Sequence, residues 1–270
     1  DYVCRLCRIC YFCIVGNRDY FPVIYRNIIR MAVYWNPWHG CRKTSEGCEH
    51  CYVYSRDGMY GKDSSVVSQT ANFDLPLRRK RDGGYKIASG ETVLACFTSD
   101  FLLSDADGWR PEAWRMIRER CDLSFFLITK RIDRFMVGLP DDWGDGYDNV
   151  AVGCTVECMR VADYRLRVFC QLPIKHRIII CAPLIEPLDI SHYLDRSVID
   201  EVSVGGESGD EARVCDYDWV LGIRSQCMAA GVPFSFHQTG ARLLKDGKIY
   251  NIERKYQHSQ AKRAGIGYKR

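Results

Sequence analysis

Three cysteines, Cys41, Cys48 and Cys51, lie in one short turn-rich segment with gaps of six and then two residues. Thiolate is the soft ligand that holds zinc and iron–sulfur clusters. Three of them converging on one centre leave a coordination position unfilled. Structural zinc sites close with four protein ligands, whereas reactive metal chemistry needs an open position. An iron–sulfur cube held by three cysteines keeps its fourth iron free for a small molecule. Gly40 and Gly47 precede the first two cysteines and allow close backbone approach. Two other readings stay open at this point. His39 or His50 could complete a Cys3His zinc knuckle, or the cysteines could carry no metal. Trp35 and Trp38, just ahead of the loop, are expected to pack it against the body of the fold.

Such a loop needs a rigid base, and the chain downstream has a regular rhythm. Apolar, β-rich runs at 92–99, 123–129, 149–155, 176–181, 198–204 and 233–236 alternate with helix-like stretches at 111–121, 159–172 and 218–230. Only a short strand, 32–34, is available before the cysteine loop. Short apolar strands separated by helices argue for a parallel sheet covered on both faces. The predicted fold is therefore α/β: a partial (β/α) barrel of about six or seven parallel strands with helices outside. A doubly wound open sheet is the alternative. Polar residues follow nearly every apolar run: Asp100, Lys130, Glu157, Glu186, Glu207, His237 and Gln238. In a parallel barrel those positions converge on the carboxyl-terminal mouth, where catalytic groups assemble.

Composition narrows the class. A chain of 270 residues with 47% apolar and 27% charged residues is that of an ordinary globular protein. No stretch approaches the ~18–20 apolar residues of a membrane span. The net charge is +4. Arginines at 5, 8, 18, 26 and 30, set against Asp1 and Asp19, supply most of it, so charge gives no support for a nucleic-acid partner. The basic run 78–81 reads as a solvated face. Fifteen cysteines without the even spacing of a secreted disulfide scaffold argue for a reducing, cytoplasmic setting. The isolated ones (Cys96, Cys121, Cys170, Cys181, Cys215, Cys227) then act as small apolar residues. Cys4, Cys7, Cys10 and Cys13 repeat every third residue and are spaced for a second cluster. The competing reading makes 1–30 an extension outside the fold, leaving 31–270 as a single domain.

Several motifs in order carry a family resemblance: WNPWHGC (35–41), GCEHCY (47–52), FTSDF (97–101), ITKR (128–131), VGCTVE (152–157), VGGESG (204–209) and PFSFHQTG (233–240). Together they resemble the radical S-adenosylmethionine superfamily, and within it a phage-associated branch distantly like spore photoproduct lyase. The first cysteine gap here is longer than the superfamily's usual Cys-x3-Cys-x2-Cys. The resemblance implies a 4Fe-4S cluster on Cys41, Cys48 and Cys51, with S-adenosylmethionine chelated at the open iron. It also implies reductive cleavage to a 5′-deoxyadenosyl radical, which abstracts hydrogen from a substrate, with a flavodoxin or ferredoxin as electron donor. Nucleic acid, a nucleotide or a peptide are the substrate classes it leaves open. Asp100 and Glu207 become candidates for the S-adenosylmethionine amine or ribose, Lys130 with Arg131 for a carboxylate or phosphate, and Tyr52 for adenine. Glu157 and His237 are the catalytic candidates. The chain departs from its relatives at Ala182, where they carry Glu in a Cys-Glu-Pro-Leu stretch, and at His237-Gln238, where they tend to have Lys-Gln. Two alternatives follow: a zinc-stabilised nucleic-acid-binding module, and a relative that keeps the fold without catalysis.

Overall fold

The computed structural model describes residues 32–269. The expectation for Cys4 to Cys13 lies outside them. A seven-stranded sheet forms the body, in the order β1 (Val33–Trp35), β4 (Thr92–Ala95), β5 (Ser124–Thr129), β6 (Val150–Thr155), β7 (His176–Cys181), β8 (Glu201–Gly205), β10 (Phe234–Gln238). Every neighbouring pair is parallel. The sheet curls into a half-barrel, the predicted partial (β/α) barrel with seven strands.

Period-two alternation explains the two layers of core. Outward-facing Val93, Phe125, Leu127, Val152, Ile179 and Val202 pack against the helices. Those helices are α2 (Arg110–Glu119), α3 (Met159–Phe169) and α4 (Tyr217–Ala230), preceded in the chain by α1 (Tyr52–Met59) after the cysteine loop. Inward-facing Leu94, Phe126, Ala151, Ile178 and Ile180 form a separate apolar cluster on the concave side. Continuous apolar strands are what a sheet buried on both faces requires. The α4 helix shows how its ends are set. Asp216 accepts a hydrogen bond from Asp218 N at its start, and Gly231 closes it in the left-handed conformation at φ +67°.

Two small sheets frame the barrel. β2 (Trp38–His39) pairs antiparallel with β3 (Ser68–Gln69) beneath the cysteine loop. Beyond β10, β11 (Arg242–Lys245) and β12 (Lys248–Asn251) form a hairpin joined to β9 (Cys215–Asp216), and α5 (Arg254–Arg263) follows. The sequence pattern predicts no element after residue 236, so hairpin and helix are additions. Trp35 and Trp38 are fully buried, as expected. Trp35 Nε1 donates to Phe73 O at 2.9 Å and Trp38 Nε1 to Asp100 O at 3.1 Å, which ties the loop's entry to the sheet. Among the described residues no helix is long and apolar enough to cross a membrane.

Candidate functional site

The cysteine loop follows β1 and lies over the carboxyl ends of the parallel strands. Gly40 opens it at φ +89°, and a Cβ there would stand 2.3 Å from Val66 O, so the position demands glycine. Cys41 N then donates to Ser64 O at 2.8 Å, and the Tyr54 hydroxyl donates to Cys41 O. A short 3-10 turn, Glu46–Cys48, carries the second thiol, and Cys51 sits at the N-cap of α1. All three cysteines are free thiols lining one cavity of about 400 Å³. That volume lies in the roughly 300–1,000 Å³ range of small-molecule sites. The cavity is the concave side of the half-barrel, floored by Leu94, Phe126, Ile128 and Ile180.

Charged residues at the strand ends divide into those facing the cavity and those that build the loop. Glu157 is fully buried beneath the loop. It accepts from Arg165 Nη1 at 2.8 Å and from the Ser45 hydroxyl, and Lys130 Nζ lies 3.8 Å away. A Cβ on Gly47 would stand 2.7 Å from Glu157 Cγ, so loop and carboxylate are in direct contact. Glu157 is thus placed to hold the loop down. Glu186 accepts Met159 N at 2.6 Å, at the start of α3, and does not line the cavity.

Asp100 does line it, but both carboxylate oxygens are occupied. One accepts from Leu102 N at 2.9 Å and Thr129 Oγ1 at 2.7 Å, the other from Lys130 N at 2.9 Å and Arg131 Nη1 at 3.1 Å. Arg131 in turn reaches the loop, with Nη1 at 3.9 Å from Cys41 Sγ and Nη2 donating to Arg42 O. Glu207 follows the same pattern on the far side. Arg213 Nη2 approaches it at 2.7 Å and Nε at 3.0 Å, and Nη2 also donates to Glu46 O at 2.9 Å. Arg213 carried no motif in the sequence. Its role follows only from where the chain brings it.

Of the other expected residues, Tyr52 lines the cavity wall and donates its hydroxyl to Phe97 O. Burial pushes its phenol up to about 12, so it stays neutral. Lys130 also lines the cavity. So does His237, at a register shift in β10 that interrupts the ladder beside β8 and turns the ring inward. The ring packs on Gly205, where a Cβ would come within 2.6 Å, and Nδ1 lies 3.0 Å from Ser203 Oγ. Burial, helped by His258, lowers its pKa to about 3. Ala182 lies on the cavity wall.

The thiols meet a low-dielectric setting. Burial pushes Cys41 up to about 11, with Arg131 opposing that shift, and burial also raises Cys51. Both are protonated without a metal, so loading one must release protons. Cys96 lines the same cavity, and burial raises its thiol well above the usual range. His39 is spent on Asp57, at 2.7 Å, whereas His50 faces the cavity beside Glu211. Among the described residues no three His, Cys, Asp or Glu side chains are gathered around one point as a single-ion site. Arg79, Lys80 and Arg81 of the basic run are exposed, as a solvated face requires. Arg78 is taken by Asp74 and Asn72, and Arg79 stacks on Tyr85 at 4.2 Å.

Fold and site together define an α/β half-barrel protein with a three-thiol loop above a small-molecule cavity. Within that class the chain belongs to the family described as Protein of unknown function (DUF5131), whose model matches residues 26–267. No curated protein and no solved structure matches it.

Proposed function

We propose that the protein is an iron–sulfur enzyme of the radical S-adenosylmethionine type. The single observation that carries this reading is the placement of Cys41, Cys48 and Cys51. They share the wall of one apolar-floored cavity at the carboxyl end of a parallel half-barrel. The donor set suits the group. In an iron–sulfur cube each cysteine binds a different iron, so three sulfurs need not meet at one point. When bound, such a cluster supplies an electron and an open iron for the reductive cleavage of S-adenosylmethionine. A low-potential donor such as a flavodoxin or ferredoxin follows from that requirement.

The chain's own residues perform the rest. Arg131, anchored by Asp100, sets a positive charge beside Cys41. Glu157 and Arg213 fix the loop from below and from the side. Lys130 offers an ammonium to the interior, where a carboxylate or phosphate oxygen would meet it. The apolar walls of Phe126, Ile128 and Ile180 would keep water from the reacting atoms when a cofactor is bound. His237, neutral and inward-facing, stands where the resemblance implies Lys.

Electron paramagnetic resonance of the full chain tests the proposal, after anaerobic reconstitution with iron and sulfide and reduction. The expected result is a cluster signal that shifts on adding S-adenosylmethionine and is lost in Cys48→Ala. Bound zinc, or a signal indifferent to S-adenosylmethionine, would overturn it. A shifted signal with no cleavage would identify a silenced relative instead.

A further inference from the structure

The lateral seam of the half-barrel, between the edge strands β1 and β10, holds cations that the cysteine loop does not use. α5 packs along β10 and carries Arg254 and His258, both lining the cavity. Four residues apart on one helix, they share a face. The Arg254 guanidinium lies over the Tyr52 ring at 5.9 Å, so α5 reaches across the seam to the residue after the last cluster thiol. His258 Nδ1 lies 2.8 Å from His237 O. A carbonyl only accepts, so Nδ1 carries a proton toward His237 O, and Nε2 faces the ligand as a second donor in the imidazolium form.

Charge pairing separates these residues from the other cations of the cavity. Arg131 is paired with Asp100 at 3.1 Å, and Lys130 lies 3.8 Å from Glu157. Among the described residues Arg254 has no carboxylate partner; its neighbour is the Tyr52 ring. An arginine with its donors open at the rim of an apolar cavity favours an amphipathic anion. The fork of a guanidinium binds two oxygens of an oxyanion, and an imidazolium one helical turn away offers a third donor. A planar carboxylate is satisfied by the fork alone, whereas a phosphoryl group has the third oxygen.

We propose that Arg254 and His258 bind a phosphoryl group, making the substrate a phosphate-bearing molecule. This deepens the enzyme reading and rests on it only for the word substrate. The test titrates the full chain with inorganic phosphate, with acetate, and with a short single-stranded oligonucleotide, following the His258 resonances by NMR. Phosphate should shift them saturably and acetate should not. Arg254→Gln should weaken the binding about tenfold, while Lys255→Gln, which removes an adjacent charge paired with Glu253 at 2.8 Å, should leave it unchanged. Tighter binding of the oligonucleotide would identify a nucleic-acid backbone as the source of the phosphoryl group. Equal or weaker binding would identify a small phosphorylated molecule. No response to phosphate, an equal response to acetate, or equal weakening by both variants overturns the site.

The same titration on Cys48→Ser separates the two claims. Phosphate binding that survives, in a protein whose reconstituted wild type never responds to S-adenosylmethionine, sinks the enzyme reading and leaves the anion site standing. A responsive cluster in a protein indifferent to phosphate does the reverse.

Discussion

Asp100 accepts four hydrogen bonds from the ends of β4 and β5, and the last of them fixes Arg131 against Cys41. A sequence shows that a carboxylate ends a strand but not whether its lone pairs are already taken. That is why the sequence could mark Asp100 and Glu207 as cavity carboxylates but not show that each already accepts hydrogen bonds from the protein's own donors, Arg131 and Arg213 among them. The thiols needed no such knowledge, because their spacing in one loop already fixed their proximity. Arg131→Met should therefore leave the sheet intact yet lower iron retention about 10- to 100-fold, measured as iron per chain after anaerobic desalting. His237 carries a second prediction. Its folded pKa of about 3 lies below the usual 6.5, so below about pH 6.5 the unfolded chain gains a proton that the folded one refuses. Its contribution is complete above that pH and is lost as pH falls toward 3. Wild type should lose stability relative to His237→Gln across this window, by up to about 1.4 kcal/mol per pH unit. Urea midpoints that fall in parallel for both proteins would contradict it.

The cysteine loop behaves as an element because buried charges pin it. Arg165 lies almost wholly inside, paired with a Glu157 that also holds Ser45. Removing one partner of a buried pair leaves the other uncompensated. Glu157→Gln should thus cost about 3–5 kcal/mol in urea unfolding. Gly47→Ala tests the contact from the loop side. Its Cβ would collide with the Glu157 side chain, so it should cost about 1–3 kcal/mol and impair cluster loading together. A loop that loads iron normally in Gly47→Ala would show that Glu157 does not set its height. The strands beneath were legible because apolar runs of β-formers leave few alternatives. The hairpin and α5 were not. β12 is exposed at every position, and α5 buries only Gln257 and Ala261. A segment held by its ends and by contacts to β10 leaves no apolar period to read.

At the scale of the molecule, seven strands do not close a barrel, and the unclosed side decides what enters. Three sequence-distant pieces meet around the cavity: the loop at 47–52, the β5 end at 128–131 and the α5 turn at 254–258. The central strands β5, β6 and β7 are paired on both sides and should exchange their amides slowest, near the global unfolding free energy. The loop and α5 hang on fewer pairings and should open locally. A ligand bound in the cavity touches all three pieces at once, so it must slow exchange in all three while leaving β6 unchanged. Hydrogen exchange on the reconstituted full chain, with and without S-adenosylmethionine, checks this directly. Protection confined to 47–52 would contradict this, because the ligand would then touch the loop alone. Protection reaching 254–258 would mean that α5 closes over the ligand, and that the seam must open for turnover.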